Sequence, residues 1–166
     1  MIEDRISVMV MTHIVNVTTD PYLENTMLFD TIQSSHDKLG LGNAKYYLYI
    51  DKVMDDNYPE LFKQYYNNIQ SRLTKDFNHI NVDIVEDRQE LMRGNWWHMI
   101  DNCETPYFLF LEHDWEFTEN IPTESILDKM DEYEHFNYLR FPYTYMGPNG
   151  PSHWDSHDGG YFEVET

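Results

Sequence analysis

Residues 6–17 read ISVMVMTHIVNV, a nearly continuous apolar run that is broken by Thr12 and His13. A strand with one face in water alternates apolar and polar residues, whereas a strand covered on both faces reads as an unbroken apolar run. Such runs are typical of parallel sheets, because helices usually cover both faces of a parallel sheet. We therefore predict that residues 6–17 form the first and central strand of a parallel sheet.

Helix and strand patterns alternate along the rest of the chain. Helices are predicted from Asp20 up to Gly40, from Pro59 to Phe77, from near Asp87 to Cys103 and from Pro122 to Met130. Strands are predicted at residues 46–50, 80–84, 107–111 and 137–141, with a loop at 146–151. This alternation implies right-handed βαβ connections and an α/β fold, a mostly parallel central sheet with helices on both faces. The length of 166 residues fits one domain, so we expect a single domain over residues 1–166.

The charge composition restricts the possible partners. Eleven Lys and Arg residues stand against thirty Asp and Glu residues, which gives a formal charge of -19. Nucleic acid would meet general repulsion, so we expect no nucleic-acid partner. A small anion such as a nucleoside diphosphate would need a divalent metal ion to neutralise it, because the chain offers few cations.

The cysteine count and the hydropathy pattern bear on location. Cys103 is the single cysteine, which excludes an internal disulfide or a cysteine-bound zinc site within one chain. A reducing compartment fits this usage best. No apolar run approaches the roughly 18–20 residues of a membrane-spanning helix. We therefore expect a soluble, cytoplasmic protein with no membrane span.

Polar residues follow the predicted strands at the edge of the sheet where ligands bind. In open parallel sheets that edge is formed by the carboxyl ends of the strands. The residues expected there are Thr12, His13, Asp51, Glu112 and Asp114. Glu112 and Asp114 are alternate residues, so their side chains can point the same way. Carboxylates held that close raise each other's pKa unless a cation compensates, and oxygen ligands suit Mg²⁺ or Mn²⁺.

The sequence around these acids favours a metal ion. From Gly94 to Asp128 there is no Lys or Arg, whereas eight acidic residues occur. No basic side chain nearby in sequence can therefore replace the metal. The alternative is that Glu112 and Asp114 only end the strand and begin a turn, as acidic residues often do.

Several of these segments together resemble the glycosyltransferases of GT-A fold, in particular their broad group of inverting enzymes. The similar segments are Met11-Thr12-His13, Ile50-Asp51, residues 92–95 (MRGN) and residues 105–114 (TPYFLFLEHD), the last of which ends in an acidic motif of the DXD type. The resemblance implies a Rossmann-like sheet. It also implies metal-dependent transfer of a sugar, of the hexose type, from a nucleoside-diphosphate sugar to a hydroxyl acceptor such as a glycan, with inversion.

The resemblance further implies roles for individual residues. By the resemblance, Thr12 and Asp51 would bind the nucleobase and the ribose, Arg93 or Asn95 would lie near the nucleotide, and Asp114 would bind Mn²⁺ or Mg²⁺. We count His13, Glu112 and His113 as further candidates for the nucleotide site. Glu112 stands where the family more often has aspartate, which leaves its role open between metal contact, contact through water and hydrogen bonding to ribose. His13 is equally open between a groove residue and a polar residue of the core.

A second cluster of ligand-type side chains lies at residues 153–160 (HWDSHDGG). Here His157 would be a late metal ligand, and Asp155 or Asp158 would be the general base that deprotonates the acceptor hydroxyl. The alternative is a solvated loop, with residues 159–162 beginning a later strand of the family and the catalytic carboxylate lying beyond Thr166. The chain would then lack its C-terminal acceptor-binding part.

The sequence leaves three other functions open. A catalytically inactive GT-A-like module would bind a sugar or a partner and keep the acidic cleft. A sugar nucleotidyltransferase usually carries a glycine-rich, basic phosphate loop near its N terminus, but residues 12–22 contain no Gly, Lys or Arg. A metal hydrolase built on residues 153–158 matches no motif with a physical basis.

Overall fold

The computed structural model describes residues 1–14, 26–51, 58–85, 92–133, 145–147 and 150–152. Its strands are β1 Ile6–Thr12, β2 Tyr46–Ile50, β3 Val82–Ile84, β4 Tyr107–Glu112, β5 Tyr145–Gly147 and β6 Gly150–Ser152. Its helices are α1 Thr26–Leu39, α2 Tyr58–Asp76, α3 Met92–Asn102 and α4 Thr123–Glu132, and a 3-10 turn precedes β1 at Ile2–Asp4. None of the described helices is both long enough and apolar enough to cross a membrane.

The chain separates into two units. The first unit, Met1–Lys129, contains β1 to β4 and the helices that connect them. The second unit, Met130–Thr166, contains β5 and β6, which pair in antiparallel fashion. The expectation that residues 1–166 form a single domain stays a prediction.

Strands β1 to β4 form a parallel sheet in the order β3-β2-β1-β4. β1 is an internal strand, and all of its residues are buried. Its Met9 lies opposite Tyr47 of β2 on one side and opposite Phe110 of β4 on the other. β4 follows β3 in sequence but lies on the other side of β1, so the strand order reverses between β1 and β4. The predicted α/β fold with a parallel central sheet is confirmed.

Helices cover both faces of this sheet. On one face, the Thr12 hydroxyl of β1 bonds to the Tyr65 hydroxyl of α2 at 2.8 Å. Ser35 of α1 bonds to Tyr46 of β2 at 3.0 Å. Tyr46 is on the same face as Thr12, because Thr12 pairs with Ile50 and every second residue of a strand points to the same face. On the opposite face, the side chain of Met99 from α3 packs in a buried cluster formed with Met9, Met11 and Tyr49. The connection from β3 to β4 through α3 therefore crosses the sheet on the side opposite α1 and α2.

The first strand is shorter than its apolar run predicts. The run extends over residues 6–17, but β1 ends at Thr12. The carbonyl of Thr12 accepts the N–H of Asp51, the first residue after β2, at 2.7 Å. The parallel ladder therefore ends where β2 ends. Ile14 is still buried, which explains why the apolar residues continue beyond the strand.

The other described elements follow the predicted pattern closely. β2 has the predicted bounds, β3 begins at Val82, and β4 continues through Glu112. Helix α1 ends before Gly40, whose φ of 59° is a left-handed conformation that glycine adopts without strain. Within the loop predicted at 146–151, the described residues Met146, Gly147, Gly150 and Pro151 instead take part in the β5–β6 pair, and 148–149 lie outside the described residues. The strand predicted at 137–141 lies outside the described residues.

Candidate functional site

A cavity of about 200 Å³ opens at the carboxyl ends of β1, β2 and β4. The residues that line it are Met11, His13, Met27, Asp51, Glu112, His113 and Asp114. The cavity adjoins the boundary between β1 and β4, where the strand order reverses, and open α/β sheets bind their ligands at such a switch point. Pockets for small molecules usually measure about 300–1,000 Å³, so the cavity that the described residues form has room for only part of a ligand of nucleotide-sugar size.

A larger hollow of about 450 Å³ lies along α2 and the edge strand β3. Among the described residues that line it, the one carboxylate is Asp83, which pairs with Lys45 at 2.7 Å. The smaller cavity combines three carboxylates and two imidazoles at the edge of the sheet where α/β proteins bind ligands. We therefore take the smaller cavity as the candidate site.

Asp51 is held at the end of β2 from two sides. Its backbone N–H donates to the carbonyl of Thr12, and its carboxylate accepts a hydrogen bond of 2.6 Å from the amide of Asn95. Burial raises the pKa of Asp51, while the bond from Asn95 and the nearby His13 oppose the rise. Asn95 is completely buried on α3. Asn95, which was expected near the nucleotide, therefore orients the Asp51 carboxylate at the cavity.

The acidic turn, residues 112–115, brings the other two carboxylates to the cavity. Glu112 is the last residue of β4, and the N–H of Trp115 donates to its carbonyl at 3.2 Å, which closes the turn. Burial raises the pKa of Glu112, repulsion from Asp114 and Asp51 raises it further, and His13 partly offsets the increase. Glu112 is half-buried and Asp114 is exposed. The three acids predicted at the ends of two strands thus line one cavity.

Two histidines complete the polar part of the cavity wall. The rings of His13 and His113 meet edge to face, with their centroids 4.6 Å apart. His113 is only 5% exposed, whereas His13 is exposed to solvent. The structure places His13 in the groove rather than in the core, and it brings both predicted histidines to the same wall.

Thr12 lies behind the cavity wall and does not line it. Its side chain is completely buried, and its hydroxyl bonds to the hydroxyl of Tyr65. The Tyr65 hydroxyl also donates to the carbonyl of His13 at 3.2 Å. The Thr12 hydroxyl is therefore directed toward α2, and the expected contact between Thr12 and the nucleotide stays a prediction. Thr12 and Tyr65 fix the end of β1 and the residue that follows it.

Helix α1 supports the acidic turn and the segment that follows it through a row of polar groups that were not predicted from the sequence. Three hydrogen bonds join Thr31 Oγ1 to the His113 carbonyl (2.8 Å), Ser34 Oγ to the Phe117 N–H (3.1 Å) and the Lys38 carbonyl to the Ile121 N–H (2.8 Å). Helical residues at this spacing share one face. The sequence does carry one signal for this support: Thr31 is a polar residue on the buried face of α1, among that helix's apolar residues.

The remaining predicted site residues have no described side chains. Arg93 belongs to α3, but its side chain lies outside the described part of the structure. Asp155, His157 and Asp158 also lie outside the described residues. The expected general base and the expected late metal ligand therefore stay predictions.

The donor set fits a metal ion that is shared with a ligand. Among the described residues, no group of three or more His, Cys, Asp and Glu side chains is placed to hold a metal ion by itself. Mg²⁺ is usually bound by one or two carboxylates and completes its coordination with water and substrate phosphates. The exposed Asp114 beside the half-buried Glu112 offers ligands of this kind.

Comparisons with protein-family models, with curated proteins and with solved structures found no match for this chain. The features available for assigning a function are therefore those of the cavity: its place at the switch point, its three carboxylates and its two imidazoles. Each of these is a property of the described residues.

Proposed function

We propose that this chain is a metal-dependent glycosyltransferase that moves a sugar from a nucleoside-diphosphate sugar to a hydroxyl acceptor, with inversion. The observation that carries the proposal is the meeting of Asp51 with Glu112 and Asp114 at the strand-order reversal. Open α/β sheets bind nucleotides at this position. The resemblance of residues 105–114 to the strand and acidic motif of GT-A enzymes supports the same function.

The electrostatics of the cavity support a role for Mn²⁺ or Mg²⁺. No Lys or Arg is among the described residues that line it, and burial together with mutual repulsion raises the pKa of Glu112. A diphosphate would be repelled by these acids without a cation. A divalent ion bound here would neutralise the charge that develops on the departing diphosphate.

The described residues divide the task of binding the donor. Asp114, which is exposed, would be the principal metal ligand, and Glu112 would contact the metal directly, through water or through the ribose. Asp51 would accept hydrogen bonds from hydroxyls of the donor, because Asn95 fixes its carboxylate at the cavity. Met11 and Met27 provide apolar wall for the rings of the ligand.

Attack on the sugar requires a base on the side opposite the leaving group. We assign this role to Asp155 or Asp158 and the role of an additional metal ligand to His157, on sequence grounds. A carboxylate within hydrogen-bonding distance of the acceptor hydroxyl would take its proton as the new glycosidic bond forms. The acceptor is expected to be a glycan or another hydroxyl compound, and the single cysteine favours the cytoplasm as the site of action.

A thermal-shift experiment with the exchange Asp114→Asn tests the proposal. The wild-type chain should be stabilised by nucleoside diphosphates when Mn²⁺ is present, since a ligand that binds only the folded state raises the unfolding temperature. Asp114→Asn should abolish this metal-dependent shift, because it removes the charged ligand. Asp101→Asn is the matched control: it makes the same charge change at an exposed position at the end of α3 and should leave the shift intact.

Two outcomes would change the assignment. An unaltered shift in Asp114→Asn would remove the proposed metal ligand and with it the reason for this function. Metal-dependent binding without any hydrolysis or transfer of the donor sugar would favour the inactive binding module over the enzyme.

A further inference from the structure

The peptide group between His113 and Asp114 determines where the Asp114 side chain begins. A peptide group is planar, so the His113 carbonyl and the Asp114 Cα belong to one rigid unit. The Thr31 hydroxyl of α1 donates to that carbonyl at 2.8 Å. The direction of this hydrogen bond therefore sets the orientation of the plane and the position of the Asp114 Cα.

The hydrogen bond is made inside the protein, where water does not readily replace it. Thr31 is 1% exposed and His113 is 5% exposed. A buried carbonyl that loses its donor carries the full cost of desolvation, so the peptide would rotate toward another partner. The 3.2 Å bond from the Trp115 N–H to the Glu112 carbonyl spans the same peptide and would be disturbed by such a rotation. Asp114 would move relative to Glu112 as a consequence.

We propose that Thr31 is a positioning residue for the metal site: by holding the peptide group between His113 and Asp114, its hydroxyl fixes where the Asp114 side chain begins beside Glu112, so that Asp114 can bind a cation that is shared with a diphosphate. The inference rests on the proposed function and extends it to a residue of α1 that does not line the cavity. Groups that orient metal ligands typically change metal affinity or activity about 10–100-fold when they are removed. We expect an effect of this size for Thr31.

The test measures Mn²⁺ affinity in the presence of a nucleoside diphosphate, by calorimetry and by the electron paramagnetic resonance of free Mn²⁺, at a temperature where each variant is folded. Thr31→Val keeps the shape of the side chain and removes the donor, and should weaken Mn²⁺ binding about 10–100-fold. Thr31→Ser keeps the hydroxyl and should bind Mn²⁺ like the wild type. Faster hydrogen exchange at the Trp115 amide in Thr31→Val should report the loosened turn.

Ser35→Ala supplies the matched control on the same helix. Ser35 is also buried, but its hydroxyl bonds to the Ile32 carbonyl and to Tyr46, away from the acidic turn. The control should lower the unfolding temperature and leave Mn²⁺ affinity unchanged, which separates loss of stability from loss of ligand geometry.

The outcomes distinguish this inference from the proposed function. Wild-type protein that does not bind Mn²⁺ with any nucleoside diphosphate would overturn both. If Thr31→Val binds Mn²⁺ as tightly as the wild type, the positioning role alone is overturned. The same holds if Thr31→Ser binds Mn²⁺ as weakly as Thr31→Val. If Thr31→Val does not fold, Thr31→Ala also removes the donor and should weaken Mn²⁺ binding about 10–100-fold; wild-type affinity there would equally refute the role.

Discussion

Replacing Thr12 with valine tests whether this residue shapes the cavity or contacts the ligand. Valine has nearly the shape of threonine, so the exchange removes the hydroxyl and little else. That hydroxyl is completely buried and bonds to the Tyr65 hydroxyl at 2.8 Å. The Tyr65 hydroxyl also donates to the carbonyl of His13 at 3.2 Å, so it keeps a partner after the exchange.

The size of the effect follows from this arrangement. Thr12→Val loses one hydrogen bond and leaves no new buried group without a partner, so it should lower the free energy of unfolding by about 1 kcal/mol. For a chain of this length that corresponds to a fall of about 2–4 °C in Tm. Tyr65→Phe removes the hydroxyl that both Thr12 and His13 share and should cost about 2–3 kcal/mol, because two hydrogen bonds are lost and the buried Thr12 hydroxyl is left without this partner.

The assay is urea unfolding followed by tryptophan fluorescence, together with the affinity for nucleoside diphosphate in the presence of Mn²⁺. We expect Thr12→Val to reduce stability and to leave nucleotide affinity unchanged. A variant with full stability and greatly weakened nucleotide binding would refute the reasoning, because it would mean that the hydroxyl turns toward the ligand rather than toward Tyr65.

Two further predictions concern the residues around the cavity. In metal-free protein, Asp51→Asn should raise stability at pH 7, because burial raises the pKa of Asp51 and disfavours its charged form in the folded state. The folded state then binds the proton more tightly than the unfolded state. The gain in stability should therefore shrink as the pH falls through the raised pKa toward the ordinary 3.8. A gain that grew on acidification, measured in EDTA, would contradict this cause. Met99→Ala removes a completely buried side chain from the cluster with Met9, Met11 and Tyr49. It should lower the free energy of unfolding, measured with urea, by about 2–5 kcal/mol. A loss below about 1 kcal/mol would mean that α3 moves to close the space left behind.

The sequence by itself predicted the elements and the edge of the sheet that carries the candidate site. An unbroken apolar run predicts an internal parallel strand because burial on both faces leaves no place for alternating polar residues. The acids that follow such runs could then be assigned to one edge, since parallel strands all end on the same side. Asp51, Glu112 and Asp114 indeed line one cavity, and the histidines at the two strand ends lie with them.

The tertiary structure decided what the individual side chains do at that edge. Thr12 and His13 are neighbours in sequence, yet the Thr12 hydroxyl is buried against Tyr65, whereas the His13 side chain lines the cavity. The sequence also contained Thr31, but its partner is the carbonyl of a residue 82 positions away. Local patterns record which residues are apolar, whereas the partner of a polar group depends on which distant backbone the fold brings within about 3 Å. That contact distance exists only after α1 has packed beside the acidic turn.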